Sequence, residues 1–333
     1  MRETELRTRL VRTGKELLEE GLVARTWGNV SARVSEQTCL ISPSGLDYNR
    51  TTEDDIVLLN LETGEAAGGR KPSSEKAVHV AAYRCFPEVQ FVIHTHQKYA
   101  SVIGLTGEDG FKISEEERAL LGGAGFASYG RPGTKTLSDA VEAVLSAGCQ
   151  TVFMKHHGVL ICGQNKEETM QRARLLETIC ERIVRDCGVP DGISKGARFG
   201  TALLDASRAY LHSEFVECYG TDSIRACADS GRAIPACLDD MAQMIGAKIP
   251  VAGSVKKAVM YLRRHNVVLI PGRGALIKAQ DADDLEALKL LTDKAACVYL
   301  YCRARGEKHI LPASDTAIMR AVYRFGYAKR KAG

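Results

Sequence analysis

The residues best suited to chemistry in this sequence are histidines in two short segments. His94 and His96 stand two positions apart in FVIHTH, a run typical of a β-strand. Alternate residues of a strand face the same side, so both imidazoles project together. A second segment, KHHG, supplies His156 and His157 where the chain turns at Gly158. Imidazoles from two strand ends predict a divalent-metal site that keeps open positions for a substrate.

A purely structural role is the alternative for these histidines, because strand histidines also occur as half-buried packing residues. Within the metal-site prediction, spacing alone does not choose between His156 and His157. His79 lies on the helix predicted after Pro72, where packing is a more typical role than ligation. The metal site therefore requires a fold that brings the HTH and KHHG segments together.

Glu75 lies at the start of a predicted helix in the segment KPSSE. In the structural interpretation, Ser73 or Ser74 caps the helix and the acidic residue favours the positive end of the helix dipole. The functional interpretation uses the same geometry. Hydroxyls and free N–H groups at a helix start bind phosphate, and a carboxylate beside a metal can move protons.

Two further loops have the chemistry of a phosphate cradle. The segment GNVS offers a flexible backbone and the Asn29 amide, and the segment SPSG offers the Ser44 hydroxyl and the backbone of Gly45. Each of these segments alone is more often a turn.

Strand-like and helix-like segments alternate with short connections, which predicts an α/β fold. The predicted segments are a helix at 4–20, strands at 30–34, 38–42, 55–61 and 91–96, a helix after Pro72, a helix at 137–147, a strand–turn–strand unit at 151–162 and a helix at 166–187. The segment 188–200 is the predicted linker.

An internal repeat relates the middle of the chain to its C-terminal third. A shift of 116 residues lays VFMKHHGVLICGQNKEE onto VLIPGRGALIKAQDADD, with identities that include Gly158/Gly274 and Leu160/Leu276. Such a repeat indicates a duplicated structural unit. The second copy carries Arg273 at the position of a histidine, which argues against a second metal site. This favours a structural role for the second copy, such as packing at an interface between subunits, and the alternative is that Arg273 binds an anionic substrate.

Composition narrows the class of protein. The net charge is +4, and no Lys/Arg run is interleaved with aromatic residues, so nucleic-acid binding has no support. No run of 18 apolar residues predicts a membrane span, and the charged N-terminus lacks a signal-peptide pattern. Eleven cysteines, an odd number that includes several in apolar runs, fit reduced thiols. We therefore expect a cytoplasmic protein.

The ordered motifs GNVSAR, SPSG, KPSSE, HTH and KHHG, from about residue 5 to 186, resemble the class II aldolase/adducin family of the fuculose-phosphate aldolase type. The resemblance implies an α/β/α layered fold with a central, mainly antiparallel sheet flanked by helices, and a homo-oligomer. It selects His157 and implies a Zn²⁺-type site of His94, His96 and His157, with Glu75 as acid/base. It also implies a phosphate pocket of Asn29, Ser44, Gly45, Ser73 and Ser74.

The activity that the resemblance implies is reversible cleavage of a ketose 1-phosphate to dihydroxyacetone phosphate and an aldehyde, with a metal-stabilised enediolate. A sugar-phosphate 4-epimerase or a thiosugar-phosphate dehydratase would use the same ligands, and an adducin-like scaffold is the non-catalytic alternative. The tyrosine that protonates the leaving aldehyde in fuculose-phosphate aldolase has no counterpart in FKISEEERALLGG. Tyr129, Glu117 and Tyr327 are alternative second acids.

The domain organisation follows from the motifs and the repeat. We expect residues 1–200 to form the metal-dependent, class II aldolase-like catalytic domain. We expect residues 201–333 to form a degenerate half-repeat of that domain without metal ligands.

Overall fold

A computed structural model describes residues 3–67, 69–190, 192 and 201–327, with the backbone alone described for 201–203 and 327. The chain divides into an N-terminal unit, Met1–Ile183, and a C-terminal unit, Val184–Gly333. Most of the predicted linker 188–200 lies outside the described residues, as does the Tyr327 side chain.

The N-terminal unit alternates helices and strands. Its elements are α1 (Glu3–Glu19), β1 (Asn29–Arg33), β2 (Thr38–Ile41), β3 (Val57–Asn60), β4 (Ala66–Ala67), α2 (Lys76–Cys85), β5 (Phe91–Thr95), α3 (Lys98–Thr106), α4 (Glu115–Leu120), β6 (Ala124–Ala127), α5 (Lys135–Ser146), β7 (Thr151–Met154), β8 (Gly158–Gly163) and α6 (Lys166–Asp186), whose last residues lie beyond the division between the units.

The eight strands form one sheet in the order β4-β3-β2-β1-β5-β8-β7-β6. Every pair is antiparallel except the parallel pair of β6 and β7. Helices α2 and α5 cover one face, and α1 and α3 lie on the other face. The predicted layered α/β fold with a mainly antiparallel sheet is confirmed.

Helices α2 and α5 show how the sequence sets these layers. In α5, Leu137, Val141 and Leu145 recur every four residues and form a fully buried stripe against the sheet. Helix α2 begins at Lys76, several residues later than its prediction from Pro72. Pro72 instead forms an antiparallel β-bridge, and this extended conformation keeps it outside the helix.

The C-terminal unit contains α7 (Thr201–Leu211), β9 (Val216–Tyr219), α8 (Asp222–Asp229), β10 (Ile234–Pro235), α9 (Asp239–Met244), β11 (Lys248–Ile249), α10 (Val255–Tyr261), β12 (Val267–Ile270), β13 (Gly274–Lys278), α11 (Ala282–Ala304) and α12 (Ala313–Val322), followed by a π-helical turn. Strands β12, β13 and β9 form an antiparallel sheet in that order, and β10 pairs with β11.

The hairpin of β12 and β13 has the register of the hairpin of β7 and β8. Val268 lies opposite Leu276, as Val152 lies opposite Leu160, and both pairs are related by the shift of 116 residues. A parallel bridge beside β12 corresponds to the parallel strand β6 beside β7. The similarity therefore includes strand pairing as well as sequence.

Strand β9 extends the similarity beyond the sequence repeat. It pairs antiparallel with β13 and places Cys218 opposite Leu276, just as β5 places His94 opposite Leu160. A helix begins three residues after each strand, α8 after β9 and α3 after β5. Strands β9, β13 and β12 thus follow the order and register of β5, β8 and β7, and the bridge beside β12 takes the place of β6.

Among the described residues, no helix is both long and apolar enough to cross a bilayer. The cysteines are free thiols.

Candidate metal centre

Three histidines converge where β5 ends and where the chain turns between β7 and β8. His94 lies in β5, His96 just after it, and His157 in the turn before β8. One ring nitrogen of each lies within 4.8 Å of the others, and the Nε2 atoms of His94 and His96 are 3.1 Å apart. All three side chains are buried. The pairing of β5 with β8 brings the two segments together.

The two histidines of KHHG have different surroundings. His157 joins the cluster, and its backbone N–H donates to the carbonyl oxygen of Met154 across the turn. His156 adopts a φ of 66°, in the left-handed region, and its ring lies edge-on to Tyr129 with centroids 5.1 Å apart. The structure thus places His157, not His156, beside His94 and His96.

Two glycines permit the close approach of the segments. A Cβ on Gly158 would lie 2.2 Å from the carbonyl oxygen of Thr95, too close for any side chain. Gly28 has a φ of 89°, and a Cβ there would lie 2.6 Å from the carbonyl oxygen of His94. Glycine is therefore required on both sides of β5 for the cluster to form.

The hydrogen bonding of His94 fixes which nitrogen faces the cluster. Its Nδ1 lies 2.9 Å from the carbonyl oxygen of Val159, which can only accept. Nδ1 therefore carries a proton, and Nε2 is the nitrogen directed at the other rings. Metal-binding histidines are commonly oriented by such a bond to a backbone carbonyl.

Helix α6 fixes the segment that directly follows His96. The Gln97 side chain donates to the carbonyl oxygen of Ala173 on α6 at 2.7 Å. The Glu177 carboxylate accepts from the backbone N–H groups of Tyr99 and Ala100, at 2.9 and 3.0 Å, and so caps the start of α3. Helix α6 thereby fixes the chain immediately beyond the ligand.

Glu75 directs its carboxylate into the histidine cluster. It is the N-cap residue of α2, but its side chain makes no capping bond. Its Oε1 lies 2.6 Å from His157 Nε2, and its Oε2 lies 3.1 Å from His94 Nε2. Burial alone would raise the pKa of this carboxyl, but the two imidazoles outweigh burial and hold the pKa well below its ordinary value.

This donor set fits a divalent cation. Imidazole nitrogens with an adjacent carboxylate are the ligand types that zinc and related ions prefer in catalytic sites. The His94 Nε2 also lies 3.1 Å from a carboxylate oxygen of Glu75, so nitrogen and oxygen ligands meet at one point. The residues present therefore fit the metal that the sequence predicts.

Asn29 and His79 join the site in a way that sequence spacing did not reveal. The Asn29 Nδ2 donates to Glu75 Oε2 at 3.1 Å, and the Asn29 Oδ1 bonds to His79 Nε2. Both ends of this amide therefore bond to protein groups. The predicted contact of Asn29 with a phosphate stays a prediction. His79 is fully buried in a polar network, whereas the sequence suggested simple packing.

The remaining predicted phosphate residues lie on two adjacent segments. A β-bridge between the SPSG and KPSS segments is reinforced by bonds from Ser44 N to Lys71 O and from Ser73 N to Ser42 O. Ser74 is exposed, whereas Ser73 is buried and its Oγ accepts from the Glu75 backbone. Gly45 has a φ of 70°, which opens the turn beside Ser44.

The alternative second acids have distinct surroundings. Glu117 forms a capping box with Ser114 and an ion pair with Arg182 at 2.8 Å. The bond to Arg182 lowers the pKa of Glu117, so this carboxylate is a poor proton donor. Tyr129 is half-buried against His156, next in sequence to the metal-site histidine.

Comparison with known proteins agrees with this geometry. The family model described as Class II Aldolase and Adducin N-terminal domain matches residues 8–184. A 5-deoxy-D-ribulose 1-phosphate aldolase of Bacillus thuringiensis serovar kurstaki is 38% identical over 165 residues, covering 48% of this chain and 74% of that protein. An L-ribulose-5-phosphate 4-epimerase of Salmonella paratyphi C is 30% identical over 185 residues, covering 50% and 78%.

The fold comparison leads to the same group. A solved structure of L-fuculose 1-phosphate aldolase matches with a TM-score of 0.50 at 30% identity, covering 55% of this chain and 87% of that one. Because the family model spans more than half of the chain, this protein belongs to the class II aldolase and adducin family. Class II aldolases depend on divalent metals, and the family resemblance predicted from the motifs is confirmed.

Proposed function

We propose that this protein is a metal-dependent aldolase that reversibly cleaves a ketose 1-phosphate into dihydroxyacetone phosphate and an aldehyde. The observation that carries the proposal is the buried Glu75 carboxylate, whose oxygens lie 2.6 Å from His157 and 3.1 Å from His94 in a group of three converging imidazoles. A bound divalent ion, most simply Zn²⁺ on His94, His96 and His157, supplies electrophilic stabilisation of the negative charge that develops on the substrate oxygens. The adducin-like scaffold lacks support because the ligands and Glu75 are all present.

The protein's own groups have separable roles in this proposal. Glu75 takes and returns the proton at the carbon of the three-carbon fragment, for which an ionised carboxylate is suited. Ser44, Gly45, Ser73 and Ser74 provide hydroxyls and backbone at the paired loops and the start of α2, where a phosphate is favoured. Asn29 holds one carboxylate oxygen of Glu75, an addition to its predicted phosphate role.

The relatives narrow the substrate class. The 5-deoxy-D-ribulose 1-phosphate aldolase and the L-fuculose 1-phosphate aldolase both have names that specify a ketose 1-phosphate. We therefore place a short ketose 1-phosphate in this site. A cytoplasmic homo-oligomer remains part of the proposal.

A 4-epimerase is the second candidate function. An L-ribulose-5-phosphate 4-epimerase is 30% identical over 185 residues, and the proposed second acid of an aldolase has no assigned residue here. The thiosugar-phosphate dehydratase remains a further use of the same ligands.

We also propose that the C-terminal unit is a degenerate copy of the segment from β5 to α6. Two pairings support this proposal: Cys218 lies opposite Leu276 as His94 lies opposite Leu160, and Arg273 aligns with His157 in the sequence repeat. This copy begins at β9, earlier than the sequence repeat alone indicated. With those ligands replaced, the proposal assigns one metal ion to each chain.

Metal analysis of the purified full chain tests the site. We expect about one equivalent of divalent metal per chain, loss of that metal in His96→Ala, and retention in the control His265→Ala, a histidine of the C-terminal unit. Cys218→Ala should also retain it. Unchanged metal content in His96→Ala would refute the site, and two equivalents would refute the degenerate copy.

Incubation with sugar phosphates separates the candidate reactions. The panel is 5-deoxy-D-ribulose 1-phosphate, L-fuculose 1-phosphate and L-ribulose 5-phosphate, with dihydroxyacetone phosphate monitored by a coupled assay. Release of the triose phosphate from a ketose 1-phosphate supports the aldolase. Epimerisation of L-ribulose 5-phosphate without triose release by the metal-loaded protein would favour the epimerase.

A further inference from the structure

A polar ladder joins one face of α2 to one face of β1. Glu75, His79 and Tyr83 recur every four residues, which places them in one row along α2. Asn29 and Ser31 alternate on β1 and face that row. The ladder of these five residues is buried from the metal-site carboxylate to the phenol.

Hydrogen bonds connect each step of the ladder. Asn29 bridges Glu75 and His79, Ser31 Oγ lies 2.7 Å from His79 Nδ1, and Ser31 Oγ lies 2.8 Å from the Tyr83 hydroxyl. Beyond the ladder, Arg33 stacks over the Tyr83 ring and donates to the Tyr83 carbonyl oxygen at 2.6 Å.

The donors and acceptors of these groups fix the direction of every hydrogen bond in the ladder. The Glu75 carboxylate can only accept, so the Asn29 NH₂ group faces it and the Asn29 carbonyl oxygen faces His79. His79 Nε2 must then be the donor. A neutral imidazole with a proton on Nε2 accepts at Nδ1, so the Ser31 hydroxyl donates there and itself accepts from Tyr83.

We propose that His79 is a positioning residue that, held as its Nε2–H tautomer by Ser31 and Tyr83, locks the Asn29 amide and thereby orients the Glu75 carboxylate at the metal site. The inference rests on the proposed acid/base role of Glu75. His79 acts through Asn29 and touches neither substrate nor metal.

Burial supports a neutral His79, and its hydrogen bonds support a single ring orientation. It is fully buried, and burial, with a smaller contribution from His94, lowers its pKa to about 3. Its two ring nitrogens each have a hydrogen-bonding partner, Asn29 and Ser31, so the ring cannot turn over without losing both bonds.

Nitrogen-15 NMR of histidine-labelled full-length protein reads the tautomer directly. The His79 signals are assigned by their absence in His79→Gln. We expect a proton on Nε2 and an unprotonated Nδ1 at neutral pH. A proton on Nδ1, or a charged ring, would overturn the inference even if the enzyme is active.

Kinetics of variants test whether the ladder acts on Glu75. By analogy with outer-shell partners of metal ligands, His79→Leu should lower kcat about 10–100-fold with little change in KM or metal content. His79→Gln, which keeps an N–H donor for Asn29, should recover part of that loss. Equal kcat in wild type and His79→Leu, or no recovery with glutamine, would contradict a positioning role.

Ser31→Ala provides a second test of the positioning role if His79→Leu does not fold. It removes the donor to Nδ1, so we expect mixed tautomers in the NMR spectrum and a smaller fall in kcat. The matched control is Thr151→Val, another buried hydroxyl that bonds to a backbone carbonyl outside the ladder. If the wild-type protein converts none of the sugar phosphates, the proposed function is refuted. The NMR experiment decides the tautomer of His79 independently of that result.

Discussion

Gly158 determines how closely the two histidine-bearing segments approach. A Cβ would meet the carbonyl oxygen of Thr95 at 2.2 Å, and backbone cannot yield as a flexible side chain can. We expect Gly158→Ala to destabilise the protein by about 1–3 kcal/mol, as overpacking does, and to weaken metal binding because β5 and β8 must separate.

Urea unfolding in excess chelator measures this cost without a metal contribution. Gly69→Ala is the matched control, because a Cβ there meets no atom within 4 Å. Equal losses of stability in the two variants would show that the close approach does not constrain the site.

The sequence identifies the metal site better than the residues that support it. His94, His96 and Glu75 stood out because their residue types and spacing suggest ligation and proton transfer. His79 was missed because its role depends on its contacts with Asn29 and Ser31 on β1. Only the fold brings this face of α2 against this face of β1. The sequence nevertheless contains a signal for them, since polar residues recur every four positions at 75, 79 and 83 and every two positions at 29 and 31.

Ion pairs between α1 and α6 connect two helices at the element scale. Glu16 bonds to Lys166 at 2.5 Å and to Arg174 at 2.8 Å. Burial raises the pKa of Glu16, but these two cations outweigh it and lower the pKa below its ordinary value. A carboxyl with a lowered pKa stabilises the fold above its unfolded-state pKa, and this contribution disappears as pH falls through the folded value.

Glu16→Gln should therefore lower the free energy of unfolding at pH 7 by roughly 0.2–1 kcal/mol, as expected for a partly exposed ion pair. The difference from wild type should shrink towards pH 3. Urea unfolding at both values measures it, with the exposed Glu19→Gln as control. A difference that is larger at pH 3 would contradict this account.

Element positions were predictable where a single pattern dominates. The stripe in α5 and the alternation of strands gave the right elements, because burial of one face sets both periods. The start of α2 was placed too early, because pairing of the Pro72 segment with the SPSG segment is a long-range contact. Strand β9 was overlooked as a repeat of β5, since its similarity lies in register rather than in residues.

At the scale of the whole molecule, the chain's single tryptophan gives a selective probe. Trp27 lies in the N-terminal unit, next to Gly28 and Asn29. Free metal at 100 times its Kd should stabilise the folded state by about 2.7 kcal/mol. The unfolding transition seen by Trp27 fluorescence should therefore move to higher urea with metal, and should not move in His96→Ala. A shift that persists in His96→Ala would place the metal elsewhere.

The central claim is that Glu75 moves a proton at a metal site formed by His94, His96 and His157. The most direct measurement is exchange of a carbon-bound hydrogen of dihydroxyacetone phosphate with deuterium in D₂O, followed by proton NMR, because this half-reaction needs no knowledge of the aldehyde. We predict exchange with the metal-loaded wild type, and none after chelation or in Glu75→Gln that still binds metal. Exchange that persists in Glu75→Gln, or that survives removal of the metal, would contradict the account.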